Sequence, residues 1–264
     1  MGSKTKRVRR KIRFGHIHAD DVDFAGALTA IAELADNKDG GFVVTPNVDH
    51  VCLAEERKDL VAAYQQASLS LADGMPLLWL AKAMRCPLPE KISGSDLLVP
   101  LCRQASARGH GIYLLGGTPD VGQSAARALV AACPGLKIVG MDSPPLGFEK
   151  DPVQNAQVIA KIRTASPHIV LVALGCPKQE LWMADNVSAF APAVALGIGA
   201  SLDFLAGKVR RAPQWMSKSG LEWAYRLVQE PKRMAGRYLV RDRAIVRIAW
   251  RMLRMPAAKR IYFA

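Results

Sequence analysis

The residues best placed to do chemistry sit at the ends of apolar runs. Asp73 closes one in SLSLADGMP (68–76), where a β-rich stretch, 69–71, hands it to a Gly74-Met-Pro turn. In an α/β sheet the carboxyl ends of strands are where ligands bind and where chemistry is done. A helix cap is the competing reading of Asp73, because Pro76 suits a first helical turn and Asp is a common cap. Thr45 and Asn47 in TPNVDH end another run. Gly116, Gly117 and Thr118 follow GIYLL and open a helix, like a phosphate-binding turn made of backbone N–H groups and a helix dipole. Gln179 in the 176–180 loop offers an amide for a hydroxyl or a uracil edge, or else is a solvated residue at a helix start. Gly197 and Gly199 let backbone approach a ligand or, equally, let strand pack on helix.

Other chemistries lack their signatures. There is no G-x-G-x-x-G and no Walker sequence, so use of NAD or ATP is not supported, and a UDP-sugar epimerase or dehydrogenase is disfavoured. No G-x-S-x-G marks a hydrolase. No H-x-x-x-H and no Cys/His run at ligand spacing occurs, so no catalytic metal is expected. The five cysteines are odd in number and scattered without a C-x-x-C pair, which suits a reducing cytoplasm better than a disulfide framework or a zinc site. The longest apolar runs fall short of the ~20 residues that span a bilayer, and no secretory apolar segment follows the basic N-terminus.

The 264 residues, half of them hydrophobic, suffice for a full core. Apolar strand-like runs alternate with amphipathic helical ones. That alternation predicts an α/β fold, a mostly parallel Rossmann-like sheet with helices on both faces. VCLAEERKDLVAAYQQA reads as one helix, and the helix over GSDLLVPLCRQASARG as capped at Ser95/Asp96. From Arg210 onward the pattern is helical with no further strand. The net charge of +13 is unevenly spread. Residues 1–14 hold seven Lys/Arg and no acid, whereas 205–264 hold fifteen Lys/Arg against Glu222, Glu230 and Asp242. Three parts are expected: a basic arm (1–14), an α/β catalytic domain (15–204) and a basic helical appendage (205–264). Basic ends of this kind meet nucleic acid, anionic lipid or a phosphorylated substrate, so a non-catalytic binding module is a rival reading. The last amphipathic segment, with aliphatic residues, Trp250 and alternating arginines, has the composition of a membrane-surface helix or of a helix packed on the domain.

Taken together, TPNVDH, LADGMP, PLPEKISGSDL, YLLGG, LGCPKQE, ALGIGASLDFLAG and RAPQWMSKSGLEWAYRLVQEPKR resemble the WecG/TagA/CpsF family of bacterial glycosyltransferases (glycosyltransferase family 26) over about 14–238. The resemblance implies an inverting, metal-independent, cofactor-free transferase. It moves a sugar from a UDP-sugar to a polyprenyl-diphosphate-linked sugar at the anionic inner face of the plasma membrane, with no nucleic-acid partner. It makes Asp73 the general base, with Thr45 and Asn47 positioning donor or acceptor. Gly74, Lys91, Gly94, Asp96, Gly116, Gly117, Gln179, Gly197 and Gly199 line the substrate pocket. Lys91 stands where the family commonly has Arg, which keeps the charge and loses the planar fork. With no metal on the UDP leaving group, cations of the appendage must neutralise it, the candidates being Arg210, Arg211, Arg226 and Arg233. Deletion of 205–264 is expected to abolish transfer. The closer likeness is to the xanthan-type glucosyltransferases of exopolysaccharide synthesis, implying UDP-glucose; the alternatives are UDP-N-acetylmannosamine and its uronic acid. Oligomeric state is left open.

Overall fold

The computed structural model describes residues 9–37, 40–236 and 241–264. Its centre is a six-stranded parallel sheet in the order β4-β3-β8-β7-β5-β6. The strands are β3 (Gly41–Val44), β4 (Leu69–Ser70), β5 (Gly111–Gly116), β6 (Lys137–Asp142), β7 (Ile169–Ala173) and β8 (Val194–Gly197). β5, β7 and β8 are near-continuous apolar runs because helices cover both faces of the sheet. β6, at one edge, alternates between exposed and partly exposed positions.

The covering helices are α1 (Phe24–Asp36), α2 (Val48–Leu53), α3 (Lys58–Gln66), α4 (Met75–Ala83), α5 (Gly94–Arg108), α6 (Pro119–Ala132), α7 (Pro152–Ala165), α8 (Lys178–Asn186) and α9 (Ser201–Leu205). They bury two apolar layers, one around Tyr64, Leu77, Val170 and Trp182, the other around Ile31, Leu98, Leu114 and Leu171. The expected single helix over VCLAEERKDLVAAYQQA is two, because the chain turns at 54–57 between α2 and α3. The cap of α5 is Ser93 rather than Ser95: its Oγ accepts the Asp96 N–H at 3.1 Å, while the Ser95 hydroxyl meets that of Ser201 at 2.9 Å.

A second sheet joins the two ends of the chain. β1 (Arg10–Phe14) pairs antiparallel with β2 (Ile17–Asp20) and with β9 (Ile261–Phe263). The last residues of the arm are therefore a strand with Ile12 and Phe14 fully buried, and the tail is not helical throughout. This sheet also braces β4: Asp20 Oδ2 accepts the Ser70 N–H at 2.7 Å, and the Ser70 hydroxyl donates to His18 O at 2.5 Å. The appendage continues through α10 (Gln214–Lys218), α11 (Glu222–Gln229), α12 (Pro231–Ala235) and α13 (Ala244–Arg254). α13 buries Ile248 and Met252 in the main core.

Candidate active site

The strand-end residues line up because the sheet is parallel. Asp73 follows β4, Thr45 and Asn47 follow β3, Gly197 and Gly199 end β8, Gln179 follows β7, and Gly116 and Gly117 end β5, in the lateral order of the strands. Backbone bonds extend the sheet past β4 to hold Asp73. Its N–H donates to Pro46 O at 2.8 Å, and the Ile92 N–H donates to Ala72 O at 2.8 Å. Gly74 then turns the chain at φ +125°, a region that favours glycine, and occupies the cap position of α4 itself. The Asp73 carboxyl takes no hydrogen bond from the described residues. It is not a helix cap; it faces a cavity.

That cavity, about 130 Å³, is lined by Asn47, Asp73, Gly74, Lys91, Glu222 and Arg226 among others. Burial pushes the Asp73 carboxyl up to about 7. Lys91 and Arg226 oppose the shift, whereas Glu222 and Asp96 reinforce it. A carboxyl poised near neutrality suits a general base.

The cations around it are already paired. Lys91 Nζ lies 2.9 Å from Asp96 Oδ2 and 3.9 Å from Glu222 Oε2, and donates to the Ser217 hydroxyl at 3.0 Å. Arg211 pairs with Asp96. Arg226 lies 3.7 Å from Glu222 Oε1 and its guanidinium covers the Phe204 ring at 4.9 Å. Burial opposes ionisation of Asp96, but the Ser93 hydroxyl, Lys91 and Arg211 together hold its carboxyl at about 2. A larger cavity of about 710 Å³ adjoins the first and shares Met75, Lys91 and Ser217 with it. Its walls are Phe24, Leu78 and Pro89 on one hand, Asp96 and Arg211 on the other.

Of the remaining expected residues, Asn47 lines the smaller cavity, while Thr45, Gln179 and the glycines serve as framework at the same sheet edge and line neither cavity. The Thr45 hydroxyl donates to Gly197 O at 3.4 Å, tying the ends of β3 and β8. Asn47 reaches the smaller cavity while its side-chain oxygen caps α2, accepting from the N–H groups of Asp49 (3.0 Å) and His50 (3.4 Å). Gln179 is buried, its oxygen accepting the Gly199 N–H at 3.1 Å and its nitrogen donating to Glu180 at 2.8 Å. Gly94 is a packing residue, where a Cβ would lie 3.1 Å from Ile198 Cα. Gly116 allows the close approach of β7, since a Cβ there would lie 2.6 Å from Ala173 O. Gly117 opens α6, whose cap position Thr118 makes no side-chain cap bond. Arg210 is exposed, with its carbonyl accepting from Gln229 at 3.0 Å. The side chain of Arg233 lies outside the described residues.

Counting arginines misses the acids and hydroxyls that travel with them. Ser217, Glu222, Trp223 and Asp242 all reach the smaller cavity. The available signal was Glu222 itself, one of three acids in a strongly basic tail.

Comparison with known proteins places the chain in a family. The profile of the "Glycosyl transferase WecG/TagA/CpsF family" matches residues 12–260. The chain is 32% identical over 198 residues to an N-acetylglucosaminyldiphosphoundecaprenol N-acetyl-beta-D-mannosaminyltransferase of Bacillus spizizenii, covering 75% of each. To the enzyme of that name from Bacillus subtilis it is 31% identical over the same length and shares. A carboxylate at the end of β4, a cation cluster beside it and this match over nearly the whole chain lead to one assignment: the chain belongs to the WecG/TagA/CpsF family of glycosyltransferases.

Proposed function

We propose that this glycosyltransferase moves N-acetylmannosamine from UDP to a polyprenyl-diphosphate-linked sugar, with inversion and without a metal. The observation that carries the reading is Asp73, a carboxyl with no hydrogen bond from the described residues, facing a cavity ringed by Lys91 and Arg226. The two Bacillus relatives are named for transferring N-acetylmannosamine to a lipid-diphosphate-linked N-acetylglucosamine. Their names favour N-acetylmannosamine over the glucose and the xanthan-type branch expected from the sequence.

In the proposed reaction Asp73 takes the proton of an acceptor hydroxyl as its oxygen attacks the anomeric carbon of the donor. The new C–O bond forms on the face opposite the departing UDP, whose bond to that carbon breaks with its electron pair. Lys91, Arg211 and Arg226 take up the charge released on the diphosphate, the task a metal performs elsewhere. Donor binding is assigned to the carboxyl-end edge of the sheet beside Asp73, where ligands of parallel α/β folds bind. The larger cavity, with Phe24, Met75, Leu78 and Pro89 beside Lys91 and Arg211, suits an acceptor that joins apolar chain to diphosphate.

A peripheral position on the inner face of the membrane fits α13. Val246, Trp250 and Leu253 lie exposed at 73%, 57% and 44% along one stripe, with the Arg254 guanidinium 3.6 Å from the Trp250 ring centroid. No helix among the described residues is long and apolar enough to cross a membrane. The test is a panel of UDP-sugars with a short-chain lipid-diphosphate N-acetylglucosamine, scored for UDP release and disaccharide. UDP-N-acetylmannosamine is expected to be the preferred donor; preference for UDP-glucose overturns the donor assignment.

A further inference from the structure

Behind the strand ends, three residues far apart in sequence converge. His50 comes from α2, Cys176 from the turn after β7 and Glu180 from the first turn of α8. One nitrogen, one sulfur and one carboxylate oxygen lie within 4.8 Å of one another, and His50 Nδ1 is 3.9 Å from Glu180 Oε1. Bonds of about 2.0–2.3 Å in a tetrahedral ion set its ligands roughly 3.3–3.8 Å apart. The three groups therefore need to close by at most about 1.0–1.5 Å around such an ion.

The carboxyl gives the cluster a reason to take a cation. Glu180 is fully buried, and its Oε2 has no hydrogen-bond partner. No Lys or Arg of the described residues pairs with it. A buried carboxylate without a compensating charge is costly, and a divalent ion supplies that charge. A supporting contact of the kind that orients ligands is also in place. The Gln179 amide donates to Glu180 Oε1 at 2.8 Å, whereas the Tyr64 hydroxyl, 2.6 Å from His50 Nδ1, must turn away for that nitrogen to meet an ion. Cys176 is half-buried, whereas the other four cysteines are buried.

We propose that His50, Cys176 and Glu180 form a site for one thiophilic divalent cation of the zinc type, separate from the transfer chemistry. Imidazole nitrogen, thiolate and carboxylate oxygen are each zinc ligands, and three of them leave a fourth position to water. Spacing in the chain conceals it, since the histidine and the other two ligands belong to distant segments.

The test is titration of the reduced full chain with Co2+, the spectroscopic stand-in for zinc. One equivalent is expected to produce thiolate-to-cobalt charge-transfer absorption that added zinc abolishes. Cys176→Ser, at a half-buried position, is expected to fold with unchanged circular dichroism, lose the band and bind cobalt at least ~10-fold more weakly. Cys133→Ser is expected to keep the band. Absence of charge transfer at excess cobalt, or a band that survives in Cys176→Ser, overturns the site.

Discussion

Lys91 of the α/β body and Glu222 of the appendage face each other at 3.9 Å across the smaller cavity. The same carboxylate also holds Arg226 at 3.7 Å and accepts the Ser217 hydroxyl at 2.9 Å. An incoming diphosphate must compete with Glu222 for these cations. Glu222→Gln is therefore expected to bind UDP about 5-fold more tightly, the equivalent of ~1 kcal/mol for one relieved competitor. Titration calorimetry with UDP checks this; unchanged or weaker binding contradicts it.

Asp73 also sets a pH dependence of stability. Its carboxyl is pushed up to about 7 from an ordinary value near 3.8, so the folded protein holds a proton there that the unfolded chain releases. The folded state thus loses stability as pH rises from about 4 to 7. Asp73→Asn removes the ionisable group and is expected to be more stable than wild type at pH 8, by on the order of 1–3 kcal/mol, with the gap closing at pH 4. Denaturant melts at the two pH values measure it.

The exposed stripe of α13 predicts a lipid contact. Vesicles containing anionic lipid are expected to sediment the wild-type protein at low salt, less so at high salt. A double variant, Val246→Asp with Trp250→Ala, is expected to reduce binding at least ~10-fold while Ile248 and Met252 keep the helix docked. Equal sedimentation of variant and wild type contradicts this face.

Much of the fold was legible because β5, β7 and β8 are uninterrupted apolar runs between amphipathic helices, the pattern expected of a parallel sheet covered on both faces. The small sheet was not. Its β1, Arg10–Phe14, alternates charged and apolar residues inside a basic arm, and its partner β9 lies at the other end of the chain. That pairing also changes the meaning of deleting 205–264. With Ile12, Phe14, Ile248 and Met252 fully buried, removal of the tail strips core as well as cations, so single arginine variants are the cleaner probe.

Asp73, Thr45 and Asn47 were legible as site candidates because strand ends in a parallel sheet share one edge. The acids that hold the appendage cations, Asp96 toward Arg211 and Glu222 toward Arg226, were not legible as partners, since only folding brings Lys91 between them.

In the proposed reaction Asp73 takes the acceptor's proton, and its ionisation should therefore show in the rate. The most direct measurement is kcat/KM for sugar transfer, from pH 5 to 9, in wild type and Asp73→Asn. The wild-type rate is expected to rise with pH and level off above about 7, where the carboxyl is ionised. Asp73→Asn is expected to lose roughly 10²–10⁴-fold, with no such rise and with undiminished UDP binding. A variant that retains wild-type turnover, or the same pH profile without the carboxylate, contradicts it.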